Sequence, residues 1–130
     1  MAKVTGLGGV FFKSPDPETL CAWYAEHLGM TIGPDFNGAV FHANAQPSEG
    51  YSVWSPFKDD TTYFAPSDQT FMINLIVDDL DGALAQVAAA GATVHGEPER
   101  SEFGAFGWFT DPAGNKVELW QPDGGDAAES

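Results

Sequence analysis

A glutamate near the end of the chain is the side chain best placed to do chemistry. Glu118 lies in residues 116–121 (KVELWQ), where charged and aromatic residues alternate with Val117 and Leu119. Because successive side chains of a strand point to opposite faces, this run predicts a strand with Glu118 and Trp120 on one face. Val117 and Leu119 would then pack under a helix on the other face.

Two roles for Glu118 follow from that placement. A carboxylate facing an apolar cavity can act as a general base or bind a cationic group. Alternatively, Glu118 only pairs with a nearby donor, for which Lys116 and Lys13 are candidates. No Ser–His–Asp pattern, phosphate-binding glycine loop or GxGxxG motif occurs in the sequence, so it points to no other catalytic centre.

The three histidines and the single cysteine form no metal-binding motif on their own. His27 lies near the end of a predicted helix, where positive charge complements the helix dipole, and His95 follows the second predicted helix. His42 ends a predicted strand and is the histidine that could join Glu118 at a metal. Cys21 alone can form neither an internal disulfide nor a zinc site.

The first half of the chain predicts a strand, a helix and two further strands. Residues 8–13 (GGVFFK) are apolar and bounded by Gly and Pro, which favours a buried strand. Asp16 is a good N-cap for a helix that runs through Leu28. Residues 38–42 and 51–55 predict two more strands.

The second half repeats this pattern. Residues 71–77 predict a strand, Asp79 an N-cap, and Gly91 the end of a helix. Residues 92–95 lead out of the helix. Residues 103–110 and 116–121 predict two strands joined by a Pro- and Gly-containing turn.

The repeat predicts one α+β domain over residues 1–130. Two βαβββ units, residues 6–64 and 70–122, would form curved mixed sheets around a cavity, followed by a mobile tail at 123–130. The length suits a single domain. No run of 18 apolar residues or signal peptide is evident, so we expect no membrane association and a cytoplasmic location.

The charge of the chain is strongly acidic. Nineteen acidic side chains and five basic ones give a formal charge of −14. Nucleic acid is therefore excluded as a partner, because it needs a basic surface. The charge either keeps the surface solvated or attracts a cationic ligand.

Three segments resemble the vicinal-oxygen-chelate superfamily of glyoxalases, bleomycin-resistance proteins and dioxygenases. They are GLGGVFFKSPDPETLCAWYAEHLGM, INLIVDDLDGALAQVAAAGATV and GWFTDPAGNKVELWQP, and together they span residues 6–122. The DPxGNxxEL motif and the strand–DDLD–helix pattern are specific in combination. The resemblance implies the glyoxalase/bleomycin-resistance/dioxygenase fold, in agreement with the repeat.

The resemblance also implies a divalent metal held by His and Glu side chains from both units. The matching positions here are Gly9, Trp54, Met72 and Glu118. One carboxylate does not make a tight transition-metal site, and the thioether of Met72 does not replace imidazole. We therefore expect no cofactor. The alternative is that Ni, Zn, Mn or Fe binds to Glu118, and also to His42 if that side chain reaches the site.

By the family pattern, the cavity is aromatic, with few polar groups. The expected ligand-binding residues are Phe11, Trp54, Met72, Asn74, Trp108, Glu118 and Trp120. Glu118 is also the candidate catalytic residue. An aromatic cluster before the second unit could form an interface or a lid; it comprises Trp54, Phe57, Tyr63 and Phe64.

Three functions are consistent with these features. The first is binding of a small organic molecule, cationic or aromatic, without a conventional metal site, as in bleomycin-resistance proteins. The second is a metal-dependent lyase, isomerase or dioxygenase acting on vicinal oxygens. The third is a non-catalytic interaction domain whose cavity is filled by its own side chains. A homodimer is expected in each case.

Overall fold

The computed structural model describes residues 2–3, 7, 9–48 and 50–123. Its helices and strands, in chain order, are α1 Pro17–Leu28, a short 3₁₀ helix Ala43–Ala45, β1 Ile73–Ile76, α2 Leu80–Ala89, β2 Thr93–Ser101, β3 Gly104–Thr110 and β4 Lys116–Gln121. None of the helices described is long and apolar enough to cross a membrane. All but Asp123 of the expected mobile tail lies outside the described residues.

The four strands form one mixed sheet in the order β1-β4-β3-β2. β4 pairs in parallel with β1 and antiparallel with β3, which in turn pairs antiparallel with β2. The order strand, helix, three strands is the βαβββ unit predicted for residues 70–122. The α+β fold is confirmed, and the strands of this unit position most side chains of the site below.

Both predicted helices begin at the expected caps. The Oδ1 atom of Asp16 accepts the backbone N–H of Thr19, and that of Asp79 accepts the N–H of Gly82, each at 3.1 Å. Such bonds satisfy amide donors that have no partner within the helix. Gly29 follows α1 with a φ of 64°, in the left-handed region that favours glycine.

The hydrophobic core lies between the two helices and one face of the sheet. The largest side chains that are fully buried there are Phe109, Leu80, Leu119, Val87 and Val117. Burying each contributes about 1.5–3 kcal/mol. Gly107 on β3 allows α2 to approach, since a Cβ at this position would lie 2.7 Å from the Leu84 side chain. The prediction that Val117 and Leu119 pack under a helix is confirmed.

The first half of the chain differs from its prediction. The structure forms no strand in residues 9–13, 38–42 or 51–55, so these three strand predictions are wrong here; residue 8 lies outside the described part. Most of their apolar side chains are exposed: Phe11 is 97% exposed and Trp54 80% exposed. A strand needs a paired neighbour as well as suitable residues.

One strand was not predicted in full. β2 carries Glu97, Pro98, Glu99 and Arg100, residues that are depleted in strands or charged. It lies at the edge of the sheet, where charge and proline are tolerated. Its register shifts between His95 and Glu99, so the alternation that identifies a strand is interrupted.

Candidate functional site

The sheet face opposite the helices carries a row of polar and aromatic side chains. Asn74 on β1 pairs with Glu118 on β4, Glu118 pairs with Trp108 on β3, and Trp108 pairs with His95 on β2. Paired residues lie on the same face with their Cβ atoms within about 5.5 Å. The register therefore brings one side chain from each strand to a single row.

Glu118 is the centre of this row. Its side chain is buried, with 9% of the residue exposed. Oε1 accepts a hydrogen bond from Asn74 Nδ2 at 2.7 Å, and Oε2 accepts from Trp108 Nε1 at 2.9 Å and from the Tyr63 hydroxyl at 2.5 Å. Three donors thus compensate the loss of water around the carboxylate.

The third donor comes from the loop that precedes β1. Burial, followed by the hydrogen bond to the Glu118 carboxylate, raises the pKa of the Tyr63 hydroxyl above its ordinary value of 10.0. The phenol therefore remains a neutral donor at physiological pH. Lys116, which the sequence offered as a partner for Glu118, donates to the Tyr63 backbone carbonyl at 2.6 Å.

Aromatic rings form the rest of this face. Trp120 is 4% exposed, and its indole N–H donates to the Phe103 carbonyl at 2.8 Å. Phe106 stacks on Trp120 with ring centroids 6.0 Å apart, and Tyr51 meets the Trp120 ring edge-on at 4.9 Å. The face is therefore an aromatic surface around one buried carboxylate.

A cavity of about 340 Å³ opens beside this surface. Its walls include Tyr63, His95, Glu97, Glu99, Trp108 and Lys116. The Lys116 ammonium lies 5.2 Å from the centroid of the Tyr63 ring and 5.9 Å from that of Trp108. Burial, followed by the charge of Lys116, lowers the pKa of His95 below 6.5, so His95 is neutral at pH 7.

The structure brings together only part of the predicted site. Asn74, Trp108 and Glu118 are in direct contact, and Trp120 lies on the same face. Met72 lies half-buried just before β1. Phe11 and Trp54 are exposed and do not pack into this cluster.

Sequence reasoning did not place Tyr63 at the site, nor the β2 residues His95, Glu97 and Glu99. The signal for Tyr63 was its position in an aromatic cluster before the second unit, which favoured an interface or a lid. The contact of Tyr63 with Glu118 spans 55 residues of sequence, and no local pattern predicts such a pairing.

A glyoxalase-like domain model matches residues 9–120. The chain belongs to the glyoxalase-like domain family. The resemblance to the vicinal-oxygen-chelate superfamily is thereby confirmed. No curated protein matches the chain.

Solved structures share the fold of this glyoxalase-like chain. TnmS3, an antibiotic binding protein from Streptomyces sp. CB03234, is 24% identical over 84% of this chain and 88% of its own, with a TM-score of 0.52. An integron cassette protein from the mobile metagenome of V. cholerae is 20% identical over 93% and 98%, with a TM-score of 0.57. A glyoxalase/bleomycin resistance protein/dioxygenase superfamily member from Sphaerobacter thermophilus is 24% identical over 93% and 98%, with a TM-score of 0.51.

The metal implied by the superfamily does not fit the residues of this glyoxalase-like domain. Within residues 2–3, 7, 9–48 and 50–123, no three His, Cys, Asp or Glu side chains are grouped closely enough to hold a metal ion. Both oxygens of Glu118 already accept hydrogen bonds. His42 is exposed at the start of the 3₁₀ helix. Transition metals are bound in proteins by several such ligands together.

Proposed function

We propose that this chain binds a small aromatic cation on the sheet face around Glu118, without a conventional metal site. The observation that carries this proposal is the buried Glu118 carboxylate, set among aromatic rings and bordered by an open cavity. Ligand sites are typically apolar hollows of about 300–1,000 Å³ with a few polar groups that orient the ligand. The cavity volume of about 340 Å³ lies in this range.

The charges around the cavity support a cationic ligand. Glu97 and Glu99 carry negative charge on its wall, and the cation Lys116 opposes them. Neutral His95 adds no charge at pH 7. The whole chain has a formal charge of −14, which attracts cations to the cavity over a longer range.

The structural comparison is consistent with binding of a small molecule. TnmS3, which shares this fold, is described as an antibiotic binding protein. Since its identity to this chain is 24%, it supports the class of function and does not identify the ligand.

We further infer that the chain forms a homodimer. Large apolar side chains are exposed along the segments whose strand predictions failed; they include Val10, Phe11, Val40, Phe41, Val53 and Trp54. Exposed apolar surface of this kind is typical of an interaction site. A second copy that covers these segments would bury them.

Calorimetric titration of the native chain tests the binding proposal. The probes are benzamidine against neutral benzamide, and tyramine against 4-ethylphenol, which lacks the amine. We expect each cation to bind more tightly than its neutral partner, because only the cation is attracted to Glu97 and Glu99. Equal binding within each pair, or no binding of either cation, would contradict the proposal.

A variant that removes one negative charge from the cavity wall tests whether Glu99 attracts the cation. Glu99→Gln should weaken binding of the cations about two- to fivefold, as expected for an exposed charge. The matched control is Glu26→Gln, which removes the same charge from α1 on the other side of the sheet and should leave affinity unchanged. An equal loss in both variants would show that only overall charge matters.

A further inference from the structure

The three donors on Glu118 differ in how the fold holds them. Asn74 and Trp108 lie on strands paired in register with β4. Tyr63 lies outside any helix or strand, and 38% of it is exposed. A loop of this kind opens at a lower free-energy cost than paired strands. Tyr63 is therefore the donor that another molecule can replace.

Tyr63 contacts the site as a bound phenol would. Its hydroxyl donates to Glu118 Oε2, and its ring meets the Trp108 indole edge-on with centroids 6.2 Å apart. Phe57 stacks on the ring at 5.8 Å and 9°, and the Lys116 ammonium lies 5.2 Å from its centroid. An acceptor, an aromatic wall and a cation together recognise an aromatic ring that carries a hydroxyl group.

The cavity leads to this position. Tyr63, Trp108 and Lys116 all lie on its wall, so a molecule that enters the cavity meets the Tyr63 side chain directly. If the Tyr63 side chain moves out, Oε2 of the Glu118 carboxylate keeps its hydrogen bond from Trp108. It can then accept a second hydrogen bond from the entering molecule. Burial and the Glu118 carboxylate, which raise the pKa of the Tyr63 hydroxyl, favour a neutral hydroxyl at this point.

We propose that Tyr63 is an internal substitute for the ligand, and that the ligand is a phenol whose hydroxyl replaces that of Tyr63 on Glu118. This inference rests on the proposed binding function and specifies its ligand. The phenol ring takes the place of the Tyr63 ring, and the cationic group of the ligand lies toward Glu97 and Glu99. Tyr63 competes with the ligand and keeps the carboxylate hydrogen-bonded in its absence.

Replacement of Tyr63 by alanine tests this proposal without reference to the native ligand. Tyr63→Ala removes the ring and hydroxyl and should create a space that p-cresol, the tyrosine side chain as a free molecule, can fill. We expect p-cresol to bind this variant at least about tenfold more tightly than toluene, because only p-cresol donates to the carboxylate. Dissociation constants come from ligand-observed NMR titration, with circular dichroism to confirm folding.

Tyr63→Phe is the matched control, since it keeps the ring in place and removes only the hydroxyl. We expect p-cresol to bind it at least about tenfold more weakly than Tyr63→Ala, because the space stays filled. Equal affinities of p-cresol and toluene for Tyr63→Ala, or equal affinities of p-cresol for the two variants, would overturn the proposal. Both outcomes are independent of whether the native chain binds aromatic cations. The calorimetric titration of the native chain tests that binding separately.

Discussion

At the scale of single residues, the state of Glu118 decides what the site can do. A carboxylate with three donors is a stable acceptor in an apolar face. All three neighbours donate to the two oxygens of Glu118, and one of them, the Trp108 indole, can only donate. The side chain is thus matched to its donors in charge as well as shape, which explains how a buried acidic group persists among tryptophans.

Glu118→Gln should therefore destabilise the protein despite its similar size. The amide oxygen can accept from Trp108 and Tyr63, but it carries no negative charge, and the NH₂ group then faces the Asn74 amide, which must turn over to accept from it. We expect a loss of about 1–3 kcal/mol in the free energy of unfolding, measured by urea denaturation. A Glu118→Gln variant as stable as the native chain would contradict this role of the carboxylate.

Tyr63→Phe removes one hydrogen bond from a partly exposed residue and should lower the free energy of unfolding by about 1 kcal/mol or less.

At the scale of helices and strands, the second unit shows how local sequence determines position. The Asp79 cap fixes the start of α2, and α2 covers the sheet face formed by Val117 and Leu119. Glu118 must then lie on the opposite face because strand side chains alternate.

The cap of α2 can be tested with neighbouring aspartates. Asp79→Ala should lower the free energy of unfolding by about 1 kcal/mol, since Asp79 Oδ1 accepts the Gly82 N–H. Asp78→Ala is the matched control: Asp78 is exposed and precedes the cap, so its loss should change stability by less than about 0.5 kcal/mol. Equal effects in a thermal or urea unfolding experiment would show that α2 does not depend on this cap.

Sequence alone predicted the elements whose signals are local. Capped helices and short alternating strands account for α1, β1, α2, β3 and β4. The edge strand β2 was missed because its charges and shifted register hide the alternation. At the site, Glu118 and Asn74 followed from strand alternation and the family pattern, whereas Tyr63 did not, because its contact depends on how a long loop folds back on the sheet.

At the scale of the whole molecule, the two halves of the chain are unequal. Residues 73–121 form the complete βαβββ unit, whereas residues 9–13, 38–42 and 51–55 remain outside the sheet. Because the sequence pattern repeats, both halves of the chain contain strand-forming residues. A strand also needs the edge of another strand to pair with. The segments that form no strand expose apolar side chains that a second copy of the chain would cover.

The oligomeric state provides a direct test of this interpretation. Light scattering on the purified chain should give a mass close to twice the 13.9 kDa of one chain. Phe11→Ser, at the most exposed of these aromatic residues, should shift the equilibrium toward monomer. A concentration-independent mass of one chain would show that the exposed segments are not covered by a second copy.

We expect the ligand to bind on the sheet face around Glu118. The indole N–H resonances of the four tryptophans report where it binds, because Trp108 donates to Glu118 whereas Trp23 lies on α1, on the helix side of the sheet. During titration with tyramine, the Trp108 resonance should shift and saturate with the dissociation constant found by calorimetry, while that of Trp23 stays in place. Saturable binding that leaves the Trp108 resonance unmoved would show that the ligand binds elsewhere.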